Sequence, residues 1–254
     1  MNNVSITHFR NTVERILEPI FKTCYDNLIY TYGFTSSAME IKLIPGRGFD
    51  SNVYLIMGEF PTIIDTGMGL NHNYILNEIK KHLNPQEVKQ VVLTHEHIDH
   101  SRGVKKLLED TGGNTSVFAH EYAAEKLEKE GNRVSEFFGV FMPNLNIERR
   151  LRDGDKVTMG DDEFIVIHTP GHTPGSICLY NEAEKILFSG DTVFSHGGFG
   201  RYDLRGGDPV MLLRSLEKLM LLDVRNLYPG HGEIVLGNGN EHIRLALHNL
   251  RLLI

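Results

Sequence analysis

Cysteine is scarce in this sequence, and long apolar runs are missing from it. Only Cys24 and Cys178 occur among 254 residues, so neither a disulfide framework nor a thiolate metal cage is expected. No 18 consecutive residues are apolar, and the N-terminus lacks the charged start and apolar stretch of a signal peptide. These absences predict a cytoplasmic protein of a reducing compartment, with no membrane-spanning segment.

Basic residues are also fewer than acidic ones. The chain has 26 lysines and arginines against 33 aspartates and glutamates, a formal charge of −7. This balance argues against non-specific binding to the phosphate backbone of nucleic acids. The hydrophobic content of 41% is ordinary for a globular protein, and the length is compatible with a single compact domain. We expect residues 1–38 to form an N-terminal helical extension and residues 39–254 to form the domain itself.

Short apolar runs and helical patterns alternate along the rest of the chain. Runs rich in β-branched residues and bounded by turn formers predict strands at 39–44, 52–57, 60–65, 88–94, 116–119, 163–169, 176–180, 185–190 and 224–230. Apolar residues at helical spacing predict helices at 71–83, 101–110, 121–130, 208–222 and from about 241. Asn71 and Asp208 are the expected N-caps of two of them. This order predicts an α/β (α+β) fold of two facing sheets with helices outside.

The run Thr94-His95-Glu96-His97-Ile98-Asp99-His100 directly follows one of these strands. Residues two apart on an extended chain project to the same side, so His95 and His97 can reach one metal ion. Asp99 and His100 follow the turn and can face the other side of the same cavity, which suits two metal sites. Imidazole nitrogen and carboxylate oxygen bind zinc without any thiolate. The alternative is a set of surface histidines in a helix-capping turn.

Three more candidate ligands follow strands later in the chain. His172 lies in a loop of turn formers at 169–175, Asp191 follows a strand directly, and His231 is flanked by glycines. Taken alone, His172 fits a structural role and Asp191 fits a cap, but beside the first run they indicate a metal site. The two oxygens of Asp191 could bridge two cations. The remaining histidines share no setting, although His196 follows Asp191 closely in a glycine-rich loop.

With these motifs the sequence resembles the metallo-β-lactamase superfamily over residues 39 to about 236. Its HxHxDH signature matches the run that begins at His95, and its later ligands match the three that follow strands. The resemblance implies a four-layer αβ/βα sandwich with a binuclear site along one edge. It assigns His95, His97 and His172 to the first metal, Asp99, His100 and His231 to the second, and Asp191 to both. Asp65, in Ile64-Asp65-Thr66-Gly67, is implied as a residue that orients ligands rather than touching substrate.

Two cations that share a water lower its pKa toward about 7, so the expected reaction is attack of a metal-bound hydroxide on an ester or thioester carbonyl. Asp99 would also handle the proton of the attacking water. Two Zn²⁺ are expected, while one or two Fe²⁺ per chain, or manganese, stay open because these donors suit several metals. Segments 170–175, 189–192 and 200–203 resemble the hydroxyacylglutathione hydrolase (glyoxalase II) branch. Because 23 residues follow His231, we expect no glutathione-binding helical domain. The expected substrate is therefore a small acyl ester or thioester other than a glutathione thioester.

Other functions stay open on the sequence. Persulfide dioxygenases share these motifs but hold one iron, here on His95, His172 and Asp191, and lactone hydrolases have a similar length. RNA-processing nucleases also carry HxHxDH, although the acidic balance disfavours nucleic acid, and His97 disfavours flavin-linked diiron reductases. A metal-stabilised binding module is the non-catalytic alternative. The apolar segment 137–143 predicts core or interface packing, including a homodimer, or the wall of an acyl pocket.

Overall fold

The structure is a computed structural model that describes residues 39–129 and 140–254. The predicted helical extension at 1–38 and the first three residues of the segment 137–143 lie outside the described residues. Eleven strands, β1 to β11, are described: Ile41–Ile44, Val53–Ile56, Thr62–Ile64, Gln90–Val92, Ser116–His120, Arg149–Leu151, Lys156–Met159, Asp162–His168, Ile177–Asn181, Ile186–Gly190 and Asn226–Pro229. Six α-helices, α1 to α6, are described: His72–Lys80, Ile98–Ser101, Val104–Asp110, Glu121–Lys129, Pro209–Leu219 and Gly239–Arg251.

The strands form two sheets. The first has the order β1-β2-β3-β4-β5-β6, antiparallel from β1 to β3 and parallel from β3 to β6. The second has the order β11-β10-β9-β8-β7, in which only the β10–β11 pair is parallel. Because β10 and β11 run in the same direction, the residues that follow them emerge at the same edge of the sheet.

Three buried clusters show four layers. Alternate residues of β2 face opposite ways, so Leu55 packs with α1, α3 and α4 while Ile56 packs against the second sheet. On β10, Leu187 packs with α5 and α6 while Phe188 packs between the sheets. The order helix, sheet, sheet, helix confirms the predicted αβ/βα sandwich. In the described part of the chain, no helix is both long and apolar enough to cross a membrane.

The predicted helix at 101–110 is wrong in its start. Helix α2 already begins at Ile98, and two residues separate it from α3. The Asp99 carbonyl accepts from Ser51 N–H at 3.0 Å, and Gly103 N–H donates to the Gly67 carbonyl at 2.9 Å. These contacts with two loops of the first sheet replace the helical hydrogen bond between Asp99 and Gly103, so the predicted helix becomes two short ones.

One of the two predicted N-caps is confirmed. Asp208 accepts hydrogen bonds from Val210 N–H and Met211 N–H at 2.8 and 3.0 Å. Asn71 occupies the N-cap position of α1, but its side chain makes no capping hydrogen bond. Its amide instead donates to the carboxylate of Asp50 at 2.8 Å. The strands β6 and β7 were not predicted, because their short runs carry exposed polar residues and no apolar stretch.

Candidate metal centre

Four segments at the ends of strands converge on one cluster of side chains. The run from His95 follows β4, and His172, Asp191 and His231 follow β8, β10 and β11. Ile177 N–H donates to the Thr94 carbonyl at 2.9 Å, and Gly230 N–H donates to the Gly190 carbonyl at 2.7 Å. These backbone bonds tie the ligand segments of both sheets together.

The structure brings all seven predicted ligands into three overlapping groups. Within each group the candidate ligand atoms lie within 4.8 Å of one another. The groups are His95, His97 and His172; His95, His100 and Asp191; and Asp99, His100 and His231. The first and third groups coincide with the two ligand sets that the resemblance implies. That these atoms bind metal stays a prediction.

Distances between the donor atoms suit shared cations. His172 Nε2 lies 2.9 Å from His97 Nδ1, and His231 Nε2 lies 3.2 Å from both His100 Nε2 and Asp99 Oδ2. Two ligand atoms that bind one tetrahedral zinc at about 2.0–2.1 Å are about 3.3 Å apart. Asp191 spans the two ends, with Oδ1 3.3 Å from His100 Nε2 and Oδ2 3.5 Å from His172 Nε2.

Protein contacts on the far ring nitrogens turn lone pairs toward the cluster. His172 Nδ1 lies 2.6 Å from the Arg201 carbonyl oxygen, which can only accept, so Nδ1 carries the proton and Nε2 faces the cluster with its lone pair. The hydroxyl of Thr94 donates to Asp65 at 2.7 Å and therefore accepts from His95 Nδ1 at 3.1 Å. His95 Nε2 is thereby left with a lone pair as well. Such contacts fix the tautomer and direction of metal-binding histidines.

Two buried polar atoms of the cluster have no hydrogen-bond partner among the described residues. They are His95 Nε2 and Asp191 Oδ1, although the latter lies 3.3 Å from His100 Nε2 without hydrogen-bond geometry. Burying an acceptor without a partner costs on the order of 1–3 kcal/mol. A cation between them would satisfy both atoms, so the residues present fit a metal centre.

Electrostatics at one end of the cluster favours positive charge. Burial alone would lower the pKa of His100, but the carboxylates of Asp191, Asp65 and Asp99 raise that pKa well above its usual value. Burial would likewise raise the pKa of Asp191, yet His100, His231 and His172 hold it well below its usual range. Three carboxylates around one buried imidazole therefore provide the negative charge that divalent cations need.

The other end of the cluster keeps its imidazoles neutral. Burial, together with the neighbouring histidine His172, lowers the pKa of His97 to about 4. Burial and the surrounding imidazoles lower the pKa of His95 well below its usual value. Neutral imidazole is the form that binds metal, so both side chains present lone pairs at neutral pH.

A buried ion pair between two of the ligand segments was not predicted. Glu96 is 2% exposed and accepts from Lys126 Nζ at 2.7 Å and from the Thr173 hydroxyl at 2.9 Å. Burial would raise the pKa of Glu96, but Lys126 outweighs it and the pKa is lowered. Glu96 stands between His95 and His97, and Thr173 follows His172, so this contact joins two ligand loops. The one feature of the sequence that points to this ion pair is the acidic residue Glu96 inside the ligand run.

Asp65 and His196 are the two further residues singled out in the sequence. The Asp65 carboxylate lies 2.7 Å from His100 Nδ1 and accepts from Thr94 N–H at 2.9 Å, so it does contact a predicted ligand. His196 is exposed, lies 3.6 Å from a carboxylate oxygen of Glu233, and belongs to none of the three candidate groups among the described residues. The structure therefore does not join His196 to the cluster.

Comparison with known families gives one match over most of the chain. A family model described as the Metallo-beta-lactamase superfamily matches residues 46–231. The matched range contains all seven residues of the cluster.

The chain is similar in sequence to two curated proteins with assigned names. It is 31% identical over 200 residues to the probable metallo-hydrolase MJ0888 of Methanocaldococcus jannaschii, covering 74% of this chain and 91% of that protein. It is 33% identical over 175 residues to the human acyl-coenzyme A thioesterase MBLAC2, covering 58% of this chain and 60% of the relative.

Solved structures agree with the family match. The BLEG-1 B3 metallo-beta-lactamase aligns with a TM-score of 0.67 at 30% identity and covers 77% of this chain and 93% of its own. TTHA1623, solved in a di-iron-bound form, aligns with a TM-score of 0.64 at 29% identity and covers 82% of this chain and 96% of its own.

Proposed function

The chain belongs to the metallo-beta-lactamase superfamily, and from this premise we propose that it is a binuclear metal-dependent hydrolase that cleaves an acyl thioester. One observation carries the proposal, namely the two buried atoms, His95 Nε2 and Asp191 Oδ1, that have no hydrogen bond among the described residues and lie within seven converging ligand side chains. Two divalent cations bound there would lower the pKa of a shared water toward about 7 and polarise a carbonyl.

Exposure indicates the side from which a substrate enters. The side chains of His95 and His100 are fully buried, whereas those of Asp99 and His231 are 18% and 34% exposed. Solvent therefore reaches the cluster past Asp99 and His231, and also past His97, which is half-buried. Burial would raise the pKa of Asp99, but His100 and His231 lower it, so the carboxylate is ionised at neutral pH. In this position Asp99 can accept the proton of the attacking water.

Two relatives support hydrolysis, and one of them supports the thioester. A probable metallo-hydrolase is similar over most of the chain, and an acyl-coenzyme A thioesterase is similar over a shorter part. The complete group of Asp99, His100 and His231 favours two cations over the single iron of a dioxygenase. We propose zinc for both positions, in a cytoplasmic enzyme.

Elemental analysis and a substrate panel test this proposal together. We expect about two zinc ions per purified chain, and turnover of acyl thioesters above that of lactones, a β-lactam and a hydroxyacylglutathione. About one iron per chain without hydrolysis of any panel member would contradict the proposal and favour an iron oxidoreductase.

A pair of variants connects the metal to the reaction. Asp191→Ala is expected to lose metal and activity together, because both oxygens of Asp191 face ligand nitrogens. His196→Ala is the matched control, since this exposed histidine lies outside the three candidate groups, and it should keep both. Full metal occupancy with normal turnover in Asp191→Ala would reject the ligand assignment.

A further inference from the structure

A cavity of about 230 Å³ lies beside the ligand run and involves none of the seven predicted ligands. Its lining consists of three cationic and three apolar residues, Arg102, Lys105, Lys106, Phe141, Met142 and Pro143. The cavity, called the Arg102 cavity below, is separate from the cluster, and the proposed reaction leaves it without a role.

Its position relates it to the metal cluster. Arg102 is the C-cap of α2, the helix that carries Asp99 and His100. The Ser101 hydroxyl donates to the His97 carbonyl at 2.8 Å and lies 3.9 Å from the sulfur of Met142, a lining residue. The Arg102 cavity thus borders the segment that carries the ligand run.

Its charge is uncompensated by the rest of the described protein. Arg102 donates to the carbonyls of Phe141 and Met68 at 2.8 and 2.6 Å, and Lys106 donates to the carbonyl of Gly69 at 2.7 Å. Within residues 39–129 and 140–254, no carboxylate forms an ion pair with Arg102, Lys105 or Lys106. Three unneutralised cations in a chain of net charge −7 favour an anionic ligand with several negative charges.

An aromatic side chain stands at the same cavity. Phe141 is 74% exposed, whereas Met142 beside it is fully buried. An exposed phenyl ring next to cations suits a nucleotide, because a base can stack on the ring while arginine and lysine bind the phosphates. An inorganic anion alone would use the cations and leave the ring in water.

We propose that the Arg102 cavity binds the phosphate groups of a nucleotide-bearing acyl thioester, with Phe141 against the nucleotide and the acyl group directed to the metal cluster. This inference rests on the proposed function for the acyl part only. The cavity would recognise the nucleotide part of the thioester, which the metal cluster would not contact.

Binding of a nucleotide without a thioester tests the cavity independently of hydrolysis. Calorimetric titration with adenosine 3′,5′-bisphosphate should show binding, and Lys105→Gln/Lys106→Gln should weaken it about tenfold or more. Lys80→Gln, an exposed lysine of α1, is the matched control and should bind as the native protein does. Absence of binding, or equal binding by both variants, would overturn the proposal.

Kinetics then relate the cavity to turnover. The quantity to compare is kcat/KM for an acyl-coenzyme A divided by kcat/KM for the same acyl group on a short thiol without nucleotide or phosphate. This ratio should fall about tenfold in the double variant and stay constant in Lys80→Gln. A second variant, Phe141→Ala, should weaken nucleotide binding but leave inorganic phosphate binding unchanged.

Other outcomes separate the two proposals. Nucleotide binding that depends on the lysines, without hydrolysis of any thioester, would support the cavity and reject the proposed function. Equal kcat/KM for the two thioesters in the native protein would keep the hydrolase and overturn the cavity proposal. Inorganic phosphate that binds as tightly as the bisphosphate would overturn the assignment of a nucleotide.

Discussion

Removing the ammonium group of Lys126 should destabilise the protein by about 2 kcal/mol, even though Lys126 is not a predicted ligand. Breaking a fully buried ion pair by removing one partner costs about 3–5 kcal/mol, because the other charge is left without compensation. Glu96 is 2% exposed and would become that charge, although the hydroxyl of Thr173 would still donate to it. The Lys126 side chain is 32% exposed, so water reaches the gap and reduces the cost to about half the buried value.

Denaturant unfolding of the metal-free protein measures this effect, with chelator present in every sample. Lys126→Met should lose about 2 kcal/mol of unfolding free energy. Lys129→Met is the matched control on the same helix, since its pair with Glu125 is 67% and 59% exposed, and it should lose less than about 0.5 kcal/mol. Lys126→Met combined with Glu96→Gln should recover part of the loss, because no buried charge remains. Equal losses in the two lysine variants, or strictly additive losses in the double variant, would refute the reasoning.

Three further predictions concern other contacts of the site and the core. Asp65→Asn should weaken metal binding about 10–100-fold in a competition with a chromophoric chelator, because Asp65 orients His100; unchanged affinity would contradict this role. Gly175→Ala should lose about 1–3 kcal/mol of unfolding free energy, because an added Cβ would lie 2.5 Å from Glu96 Oε2 and 2.7 Å from Ala123. Gly113→Ala, which has open space but a φ of +77°, measures backbone strain without crowding. Burial raises the pKa of the Cys178 thiol to about 11, so at pH 8 the folded protein should react at most at one cysteine, and two should react after unfolding.

The layers of this fold could be predicted because its buried strands are apolar on both faces. Residues such as Leu55 and Ile56 belong to different cores on either side of one sheet, and that requires the continuous apolar runs that the sequence shows. The break between α2 and α3 could not be predicted, because it depends on hydrogen bonds from distant loops. Gly103 donates to Gly67, which lies far from it in sequence.

The predicted ligands share one local pattern, a strand followed by small residues and then the ligand, and the structure gathers all seven. Their supporting contacts follow no such pattern. The partner of Glu96 is Lys126, thirty residues later, and the partner of His172 is the carbonyl of Arg201. A backbone carbonyl carries no sequence signature, and a single lysine on a charged helix looks like an ordinary exposed residue.

The supporting contacts explain why the cluster would keep its shape without a cation. Asp65 holds His100 and Thr94, Thr94 in turn contacts His95, and Glu96 joins their loop to Thr173. Each contact uses a group other than the donor atom that faces the cluster, so forming the metal centre would not require breaking any of them. The free-energy cost of burying polar atoms without a partner is then confined to the converging donor atoms themselves. A cation bound there relieves that part alone, which is the condition under which metal binding stabilises a preformed site.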